Sequence, residues 1–197
     1  MEDAELENKK NNGGFLDFVI EVIKFVVLAV VIVVPIRAYV AQPYIVSGSS
    51  MFPTFKNGEY LIVDQLTYRF QEPERGDVIV FRFPNNPSQF FIKRVIGLPG
   101  ETVRLENGKL FIAHGEGDAR TENTVAEPYA GPGGFESKTL ALGEKEYFVM
   151  GDNRSASLDS RSWGALSRDL IRGRAIVRLF PITTTSLFPG KAEFPNE

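Results

Sequence analysis

The sequence feature that most constrains the fold is an apolar segment near the N-terminus. Residues 25–34 are uncharged (FVVLAVVIVV), and apolar residues dominate from 18 to 41, with Glu21, Lys24 and Arg37 near the two ends. About 20 apolar residues in a helix span the hydrocarbon core of a bilayer, and charged side chains near the ends can reach the headgroups. The segment therefore predicts a transmembrane helix, which makes the lipid bilayer the first expected partner.

Two other structures compete with this interpretation. The uncharged run alone is short enough to be a buried helix of a soluble protein. A cleaved signal peptide is disfavoured for two reasons. The segment before the apolar run is long and acidic, and Tyr39-Val40-Ala41 is a poor cleavage site. We interpret the segment as a retained anchor.

Basic residues near the segment predict its orientation. Lys9, Lys10 and Lys24 precede the apolar run, while Arg37 is the only basic residue between it and Lys56. Since the cytoplasmic flanks of transmembrane helices carry an excess of Lys and Arg, we expect a cytoplasmic N-terminus and an exported body.

Composition excludes several kinds of functional site. The chain has no cysteine and one histidine, His114, which excludes disulfides, a thiol nucleophile, and cysteine-rich or multi-histidine metal centres. After residue 24 the acidic and basic side chains are equal in number, so the body lacks the basic excess of a nucleic-acid-binding surface. We expect no metal, no cofactor and no nucleic-acid partner.

Beyond the apolar segment, short apolar runs alternate with Gly, Pro and Asn, which is typical of an all-β domain. Asn107-Gly108 is the strongest hairpin signal, because both residues accept the positive φ of a tight turn. The predicted strands are 44–46, 60–64, 78–83, 90–97, 102–106, 109–112, 146–150 and 175–180.

Lys93 is unusual because it lies in a predicted strand that is apolar on both faces. Phe91 and Val95 share the face of Lys93, while Ile92 and Ile96 occupy the opposite face. A lysine that loses contact with water has a lowered pKa and can act as a base near neutral pH. The alternative is that its side chain reaches solvent or pairs with an Asp.

A candidate nucleophile lies in the segment SGSSMFPT at residues 47–54. Gly48, beside two serines, and Pro53 make a tight backbone that can present a hydroxyl and direct amide groups at an oxyanion. An ordinary Ser/Gly turn is the simpler interpretation, and a serine nucleophile needs a base. His114 and Lys93 are both candidates for that base. No G-x-S-x-G or S-x-x-K motif occurs, which disfavours the hydrolase and β-lactamase folds that carry them.

Four segments, taken in their order, make the chain resemble the bacterial type I signal peptidases over residues 15–182. That family is anchored in the membrane and removes signal peptides from exported preproteins with a Ser–Lys dyad. The matching segments are SMFPT at 50–54, RGDV at 75–78, KRVIGLPG at 93–100, and GDNR at 151–154 followed by DSR at 159–161.

The resemblance implies roles for individual residues. Ser50 is the implied nucleophile and Lys93 the general base. Ser157 aligns with a serine that orients the lysine, and Asp159 and Arg161 align with an ion pair that supports the site.

The chain departs from the family pattern at the oxyanion hole. Some members carry a serine two residues before the nucleophile, whose hydroxyl helps bind the oxyanion, and this chain has Gly48 there. The oxyanion is then expected to bind backbone N–H groups around Gly48 and Ser50, chiefly that of Ser50.

The implied substrate is an extended preprotein segment with small residues at the first and third positions before the cut. An apolar strand beside the nucleophile suits pairing with such a peptide. Phe52 and Phe55 are expected either to contact lipid or to pack in the core. The expected substrate contacts are Tyr44, Val46, Met51 and Ile92.

The implied fold is mainly β, with an N-terminal transmembrane helix followed by an antiparallel β-fold of the signal-peptidase and LexA type that carries a small β-rich insert. The implied location is the bacterial cytoplasmic membrane, as a single-pass protein with an extracytoplasmic catalytic domain. The expected divisions are a disordered cytoplasmic tail at 1–14, an anchor at 15–41, a catalytic β-domain at 42–112 and 146–182, an insert or cap at 113–145, and a C-terminal tail at 183–197.

Two other functions remain as alternatives. One is a self-cleaving Ser–Lys peptidase of the LexA type, although those proteins are soluble and carry a DNA-binding head. The other is a non-catalytic, membrane-tethered β-domain that binds a partner. Cleavage of a preprotein after a small-x-small site distinguishes the peptidase from both.

Overall fold

The computed structural model describes residues 2–114, 121–133, 137–192 and 194, with the backbone alone at 2–13, 38 and 121. The chain divides into two units, Met1–Val40 and Ala41–Glu197.

The first unit is helical. Helix α1 covers Glu2–Pro35 and continues into a π-helical turn at Ile36–Val40. Within α1, Gly14–Pro35 has 22 residues and a mean hydropathy of 2.7, which is long and apolar enough to cross a bilayer. The predicted apolar helix is confirmed, but the backbone is helical from Glu2 onwards, where the sequence predicts a disordered tail.

In the second unit, the described residues form antiparallel strands, several 3₁₀ turns and one short α-helix, α2 (Ser160–Trp163). The strands are β1 (Ala41–Ile45), β2 (Tyr60–Asp64), β3 (Val78–Phe83), β4 (Asn86–Gly97), β5 (Thr102–Glu106), β6 (Lys109–His114), β7 (Thr121–Thr124), β8 (Lys138–Ala141), β9 (Glu146–Met150), β10 (Leu166–Ser167), β11 (Ile171–Phe180) and β12 (Ser186–Leu187).

The larger sheet has eight strands in the order β1-β2-β11-β3-β4-β9-β10, with β12 also paired to β11. Strands β2, β3, β5 and β9 have the predicted bounds, while β4 and β11 begin earlier than predicted, at Asn86 and Ile171. The predicted C-terminal tail contributes β12 and a 3₁₀ turn at Ile182–Thr184. That tail is therefore part of the β-domain up to the end of β12.

The smaller sheet has the order β7-β6-β5-β8. Its central hairpin turns at Asn107 and Gly108, which have φ values of 51° and 73°, so the predicted hairpin is confirmed. The second sheet begins at β5 and therefore includes strands that the sequence analysis assigned to the main β-domain, before the expected insert boundary at 113.

Both faces of the larger sheet are covered, which explains the continuous apolar runs in its central strands. One cluster includes Phe81, Val95 and Val149, and another joins Ile96 and Phe148 to the smaller sheet. A third cluster consists of Val46, Met51, Phe55, Leu61, Val78 and Ala175. Because Met51 follows Ser50 directly, this third cluster anchors the segment that carries the candidate nucleophile.

Candidate active site

Lys93 lies in β4 opposite Ile79 of β3, and it is 3% exposed. Its Nζ atom lies 2.7 Å from Ser50 Oγ and 2.9 Å from the Ile92 carbonyl oxygen, and 5.2 Å from the centre of the Phe91 ring. Among the described residues, no carboxylate pairs directly with this ammonium group. The side chain therefore reaches the serine and neither solvent nor an Asp.

Burial is the main influence on the Lys93 ammonium, and it lowers the pKa from 10.5 to about 8. The negative charges of Asp159 and Asp152 oppose this shift, while the positive charge of Arg161 adds to it. An amine with such a pKa is partly neutral near pH 7, which is what a general base requires.

Ser50 lies in a turn that is held from two sides. The Gly48 N–H donates to Asn57 Oδ1 at 2.9 Å. On the other side, the Asn153 side-chain amide donates to the Ser49 carbonyl oxygen at 3.1 Å, and the Asn153 N–H donates to the Ser50 carbonyl oxygen at 3.0 Å. These bonds fix the peptide groups on both sides of the nucleophile.

The same bonds determine which amides can bind an oxyanion. The N–H of Ser50 makes no hydrogen bond within the described residues, so it is available at the edge of the cleft. The N–H of Gly48 is already bound to Asn57. Gly48 was expected to contribute to the oxyanion hole, but its N–H is not available for this. Gly48 instead shapes the turn, because its φ of 96° lies in the region that favours glycine.

Residues 151–161, which we call the C-terminal segment, bring Asp159 and Arg161 together in the predicted ion pair. Arg161 Nε and Nη2 donate to the two Asp159 carboxylate oxygens at 2.7 and 2.8 Å, and the Gly151 N–H donates to Asp159 Oδ2 at 3.0 Å. Burial raises the pKa of the Asp159 carboxyl, but the bonds from Arg161 and Gly151 outweigh burial and hold that pKa below its usual value. Asp159 is therefore an anion near Lys93.

Ser157 lies in the same segment, and its hydroxyl is buried. It is close enough to Asp159 to help lower the pKa of that carboxyl, yet it makes no hydrogen bond of ordinary geometry within the described residues. The role expected for Ser157, orienting Lys93, stays a prediction.

Sequence reasoning did not assign a buried ion pair that lies beside the dyad. Arg94 donates through Nε and Nη2 to the Asp152 carboxylate at 2.9 and 2.6 Å, and neither side chain is more than 1% exposed. The Tyr129 ring covers the guanidinium group at 3.9 Å, and the Thr54 hydroxyl donates to Asp152. The sequence did carry one indication of this ion pair, since Arg94, Asp152 and Thr54 all lie in the segments that match the family.

A cleft of about 520 Å³ leads away from the dyad between β1 and β4. Three of the four predicted substrate contacts line it: Tyr44, Val46 and Ile92. Its other lining is largely apolar and includes Leu61 and Val80.

Met51, the fourth predicted contact, does not line the cleft. It is 1% exposed and packs in the cluster that also contains Phe55. Phe55 is likewise fully buried, whereas half of Phe52 is exposed. Met51 and Phe55 are therefore core residues that support the nucleophile segment from behind, and only Phe52 keeps the exposure that lipid contact requires.

The chain is similar to known peptidases. Residues 19–180 match the family described as signal peptidase, peptidase S26. The chain is 36% identical to a probable signal peptidase I-2 of Synechocystis sp. over 88% of this chain and 79% of the relative. It is 40% identical to signal peptidase I of Leptolyngbya laminosa over 82% and 80% of the two chains. It is 35% identical to signal peptidase I S of Bacillus subtilis over 88% and 95%. The family match includes the positions of Ser50, Lys93 and the C-terminal segment.

Proposed function

The chain belongs to the signal peptidase family, peptidase S26, and we propose that Ser50 is its nucleophile and Lys93 its general base. Its relatives named signal peptidase I identify it as a serine endopeptidase that removes signal peptides. The observation that carries the assignment of the two residues is the 2.7 Å separation of Ser50 Oγ from a buried Lys93 Nζ.

The proposed reaction begins with a neutral Lys93. Nζ accepts the proton of the Ser50 hydroxyl as Oγ attacks the scissile carbonyl carbon. The carbon–nitrogen bond then breaks, the leaving amine takes the proton from Nζ, and an ester to Ser50 remains. A water molecule attacks this ester, Nζ accepts the water proton and returns it to Oγ, and the signal peptide leaves with a new carboxyl terminus.

Stabilisation of the oxyanion rests on the Ser50 N–H. An amide that is held in place and free of other partners stabilises developing negative charge without reorganisation. The bond from the Asn153 side chain to the Ser49 carbonyl oxygen and the bond from the Gly48 N–H to Asn57 hold this amide in place. We propose that Asp159 and Arg161 act more remotely, by holding the C-terminal segment against the dyad and by setting the charge around Lys93.

The proposed substrate is a preprotein with small residues at the first and third positions before the cut. Tyr44, Val46 and Ile92 narrow an apolar cleft next to Ser50, and such a cleft admits Ala more readily than larger residues. Strand β1 lies at the edge of the larger sheet, so an extended peptide can add to it through backbone hydrogen bonds.

The test of this function is cleavage of a preprotein by the purified full chain in detergent. We expect a new N-terminus after a small-x-small site, and no product with Ser50→Ala or Lys93→Ala. Both variants should stay folded, with cooperative thermal unfolding in the same detergent. Cleavage by Ser50→Ala would contradict the assignment of the nucleophile.

We propose that the apolar part of α1 anchors the protein in a membrane, since it is long and apolar enough to cross one. We propose that its N-terminus is cytoplasmic and that the β-domain lies on the extracytoplasmic side of the bacterial cytoplasmic membrane. The basic residues Lys9, Lys10 and Lys24 support this orientation.

The absence of cysteine from the sequence allows a direct test of orientation. Glu5→Cys and Glu144→Cys each introduce a single thiol, one in each unit. A membrane-impermeant maleimide applied to spheroplasts should label only the variant at 144. Labelling of the variant at 5 instead would reverse the proposed orientation.

A further inference from the structure

Arg178 reaches from the middle of the larger sheet to the segment that carries Ser50. It lies in β11, opposite Leu61 of β2 on one side and Ser186 of β12 on the other. Its Nη2 group donates to the Thr54 carbonyl oxygen at 2.7 Å, and its guanidinium group lies 4.9 Å from the centre of the Phe55 ring. These contacts therefore connect the nucleophile segment to a strand that is paired on both sides at this point.

Thr54 is held from a second direction by its own side chain. Its hydroxyl donates to Asp152, which is fixed by two hydrogen bonds from Arg94. The carbonyl and the hydroxyl of Thr54 are therefore bound to two different parts of the fold. The adjacent turn adds an internal restraint, since the Phe55 N–H donates to the Met51 carbonyl oxygen at 2.9 Å.

The surroundings of Arg178 explain why its guanidinium group stays in this place. Glu59 is 3% exposed, and its Oε2 lies 3.2 Å from Arg178 Nε, although the two atoms are not aligned for a hydrogen bond. The Arg178 side chain is 13% exposed. A buried carboxylate strongly favours a nearby cation, so Glu59 keeps Arg178 folded inward over Phe55 and against Thr54.

We propose that Arg178 is a positioning residue for the nucleophile. By fixing the Thr54 carbonyl from one side, while Asp152 binds the Thr54 hydroxyl from the other, it holds residues 50–54 at the place where Ser50 Oγ meets Lys93 Nζ. This inference rests on the proposed function, because it assumes that Ser50 attacks the substrate. A displacement of about 1 Å at a reacting group can reduce turnover by roughly a hundredfold.

The test compares kcat, KM and melting temperature for the full chain in detergent. Arg178→Met removes the bond to Thr54 and also leaves Glu59 buried without a cation. We expect kcat to fall by roughly tenfold or more with little change in KM, and the melting temperature to fall. Arg178→Lys keeps a cation that can donate to the Thr54 carbonyl and should recover part of kcat.

A double variant separates positioning from stability. Glu59→Gln with Arg178→Met removes both charges, so the melting temperature should return toward the wild-type value. Since the Thr54 carbonyl is still unbound, kcat should stay low. Recovery of kcat together with the melting temperature would overturn the proposal, because Arg178 would then act through stability alone.

Arg174 provides a matched control on the same strand. It lies 3.8 Å from the Asp64 carboxylate and 5.4 Å from the centre of the Phe188 ring, in an arrangement similar to that of Arg178. Arg174→Met should lower the melting temperature and leave kcat unchanged. An equal loss of kcat in both Met variants would overturn the specific role of Arg178.

The Ser50→Ala variant distinguishes the two ways in which this test can fail. If Ser50→Ala is inactive and Arg178→Met retains the wild-type kcat, the positioning role is refuted and the proposed nucleophile stands. If Ser50→Ala still cleaves the preprotein, the proposed nucleophile is refuted and the positioning role falls with it.

Discussion

Gly151 and Ser157 are so close that a Cβ atom on residue 151 would lie 2.2 Å from the Ser157 hydroxyl oxygen. The same atom would lie 2.4 Å from the Ser50 carbonyl oxygen, which belongs to the backbone. Carbon atoms do not come this close to unbonded oxygen atoms, so only glycine allows the C-terminal segment to approach the nucleophile turn.

Gly151→Ala should therefore abolish turnover by separating the C-terminal segment from Ser50. We expect the melting temperature to fall as well, because overpacking costs about 1–3 kcal/mol in a tightly packed site. The measurement is preprotein cleavage together with thermal unfolding. Gly131→Ala is the matched control, since a Cβ atom there would lie 3.5 Å from the Asp152 carbonyl oxygen, at ordinary contact distance. Wild-type turnover in Gly151→Ala would show that the close approach is not needed.

Activity should rise with pH through the titration of Lys93. Burial lowers the pKa of this group to about 8, and only its neutral form can accept the Ser50 proton. The rate should therefore fall as the pH drops below about 8, roughly tenfold per pH unit once Lys93 is mostly protonated. The measurement is kcat/KM against pH on a peptide without titratable side chains. A flat profile down to about pH 6 would contradict a lysine base.

The burial of Lys93 should also lower the free energy of unfolding. Its pKa is about 8 in the folded chain against an ordinary value of 10.5, so the unfolded chain binds more protons between these two pH values. Stability then increases with pH across this window, and the full cost of about 3 kcal/mol is present below it. Lys93→Met should be inactive and should melt at a higher temperature than the wild type at pH 7.

The gain in stability should shrink as the pH rises above 8 and disappear above 10.5, where the wild-type lysine is neutral in both the folded and the unfolded state. Melting temperatures of the two proteins in one detergent, at neutral and at alkaline pH, test this expectation. An equal difference at both pH values would mean that packing, and not charge, separates them.

Ile92→Ala should widen the substrate specificity. Ile92 lines the cleft beside Lys93, and we expect its side chain to limit the space available to a substrate residue near the cut. A methyl group in an apolar pocket is worth about 1–3 kcal/mol of discrimination, so preference for Ala over Val before the cut should fall by roughly tenfold. Mass spectrometry of products from a pair of matched peptides measures the ratio.

Ile96→Ala is the control for this experiment. It is the same substitution in the same strand, but Ile96 is fully buried in the cluster that joins the two sheets. The variant should be less stable and should keep the preference for Ala. A similar relaxation in both variants would show that general loosening, and not pocket size, changes specificity.

Local sequence patterns predict much of this molecule because they report which face of a strand is buried. The apolar residues on both sides of Lys93 require that β4 be covered on both faces, and the structure covers them with the clusters around Val95 and Ile96. The Asn107-Gly108 turn depends on two adjacent residues only. Both features follow from neighbours in the chain.

The features that sequence reasoning missed depend on residues far apart in the chain. Arg94 and Asp152 are separated by 58 positions, and the residues around Arg94 do not indicate which carboxylate it pairs with. The bond between Gly48 and Asn57 depends on how a loop folds back, which hydrophobic periodicity does not determine. Likewise, the smaller sheet takes β5 because β5 pairs with the distant β8.

His114 should be dispensable for cleavage, although it is the only histidine in the sequence. Its Nδ1 lies 3.2 Å from Glu101, whose carboxylate is already bound by two Arg75 nitrogens at 2.9 and 2.7 Å and by the Leu98 N–H at 2.7 Å. Nearly half of the His114 side chain is exposed, and exposed pairs contribute at most about 1 kcal/mol. His114→Ala should therefore keep the wild-type kcat/KM, measured beside Lys93→Ala as the inactive reference. A variant that folds normally but loses cleavage would contradict this prediction.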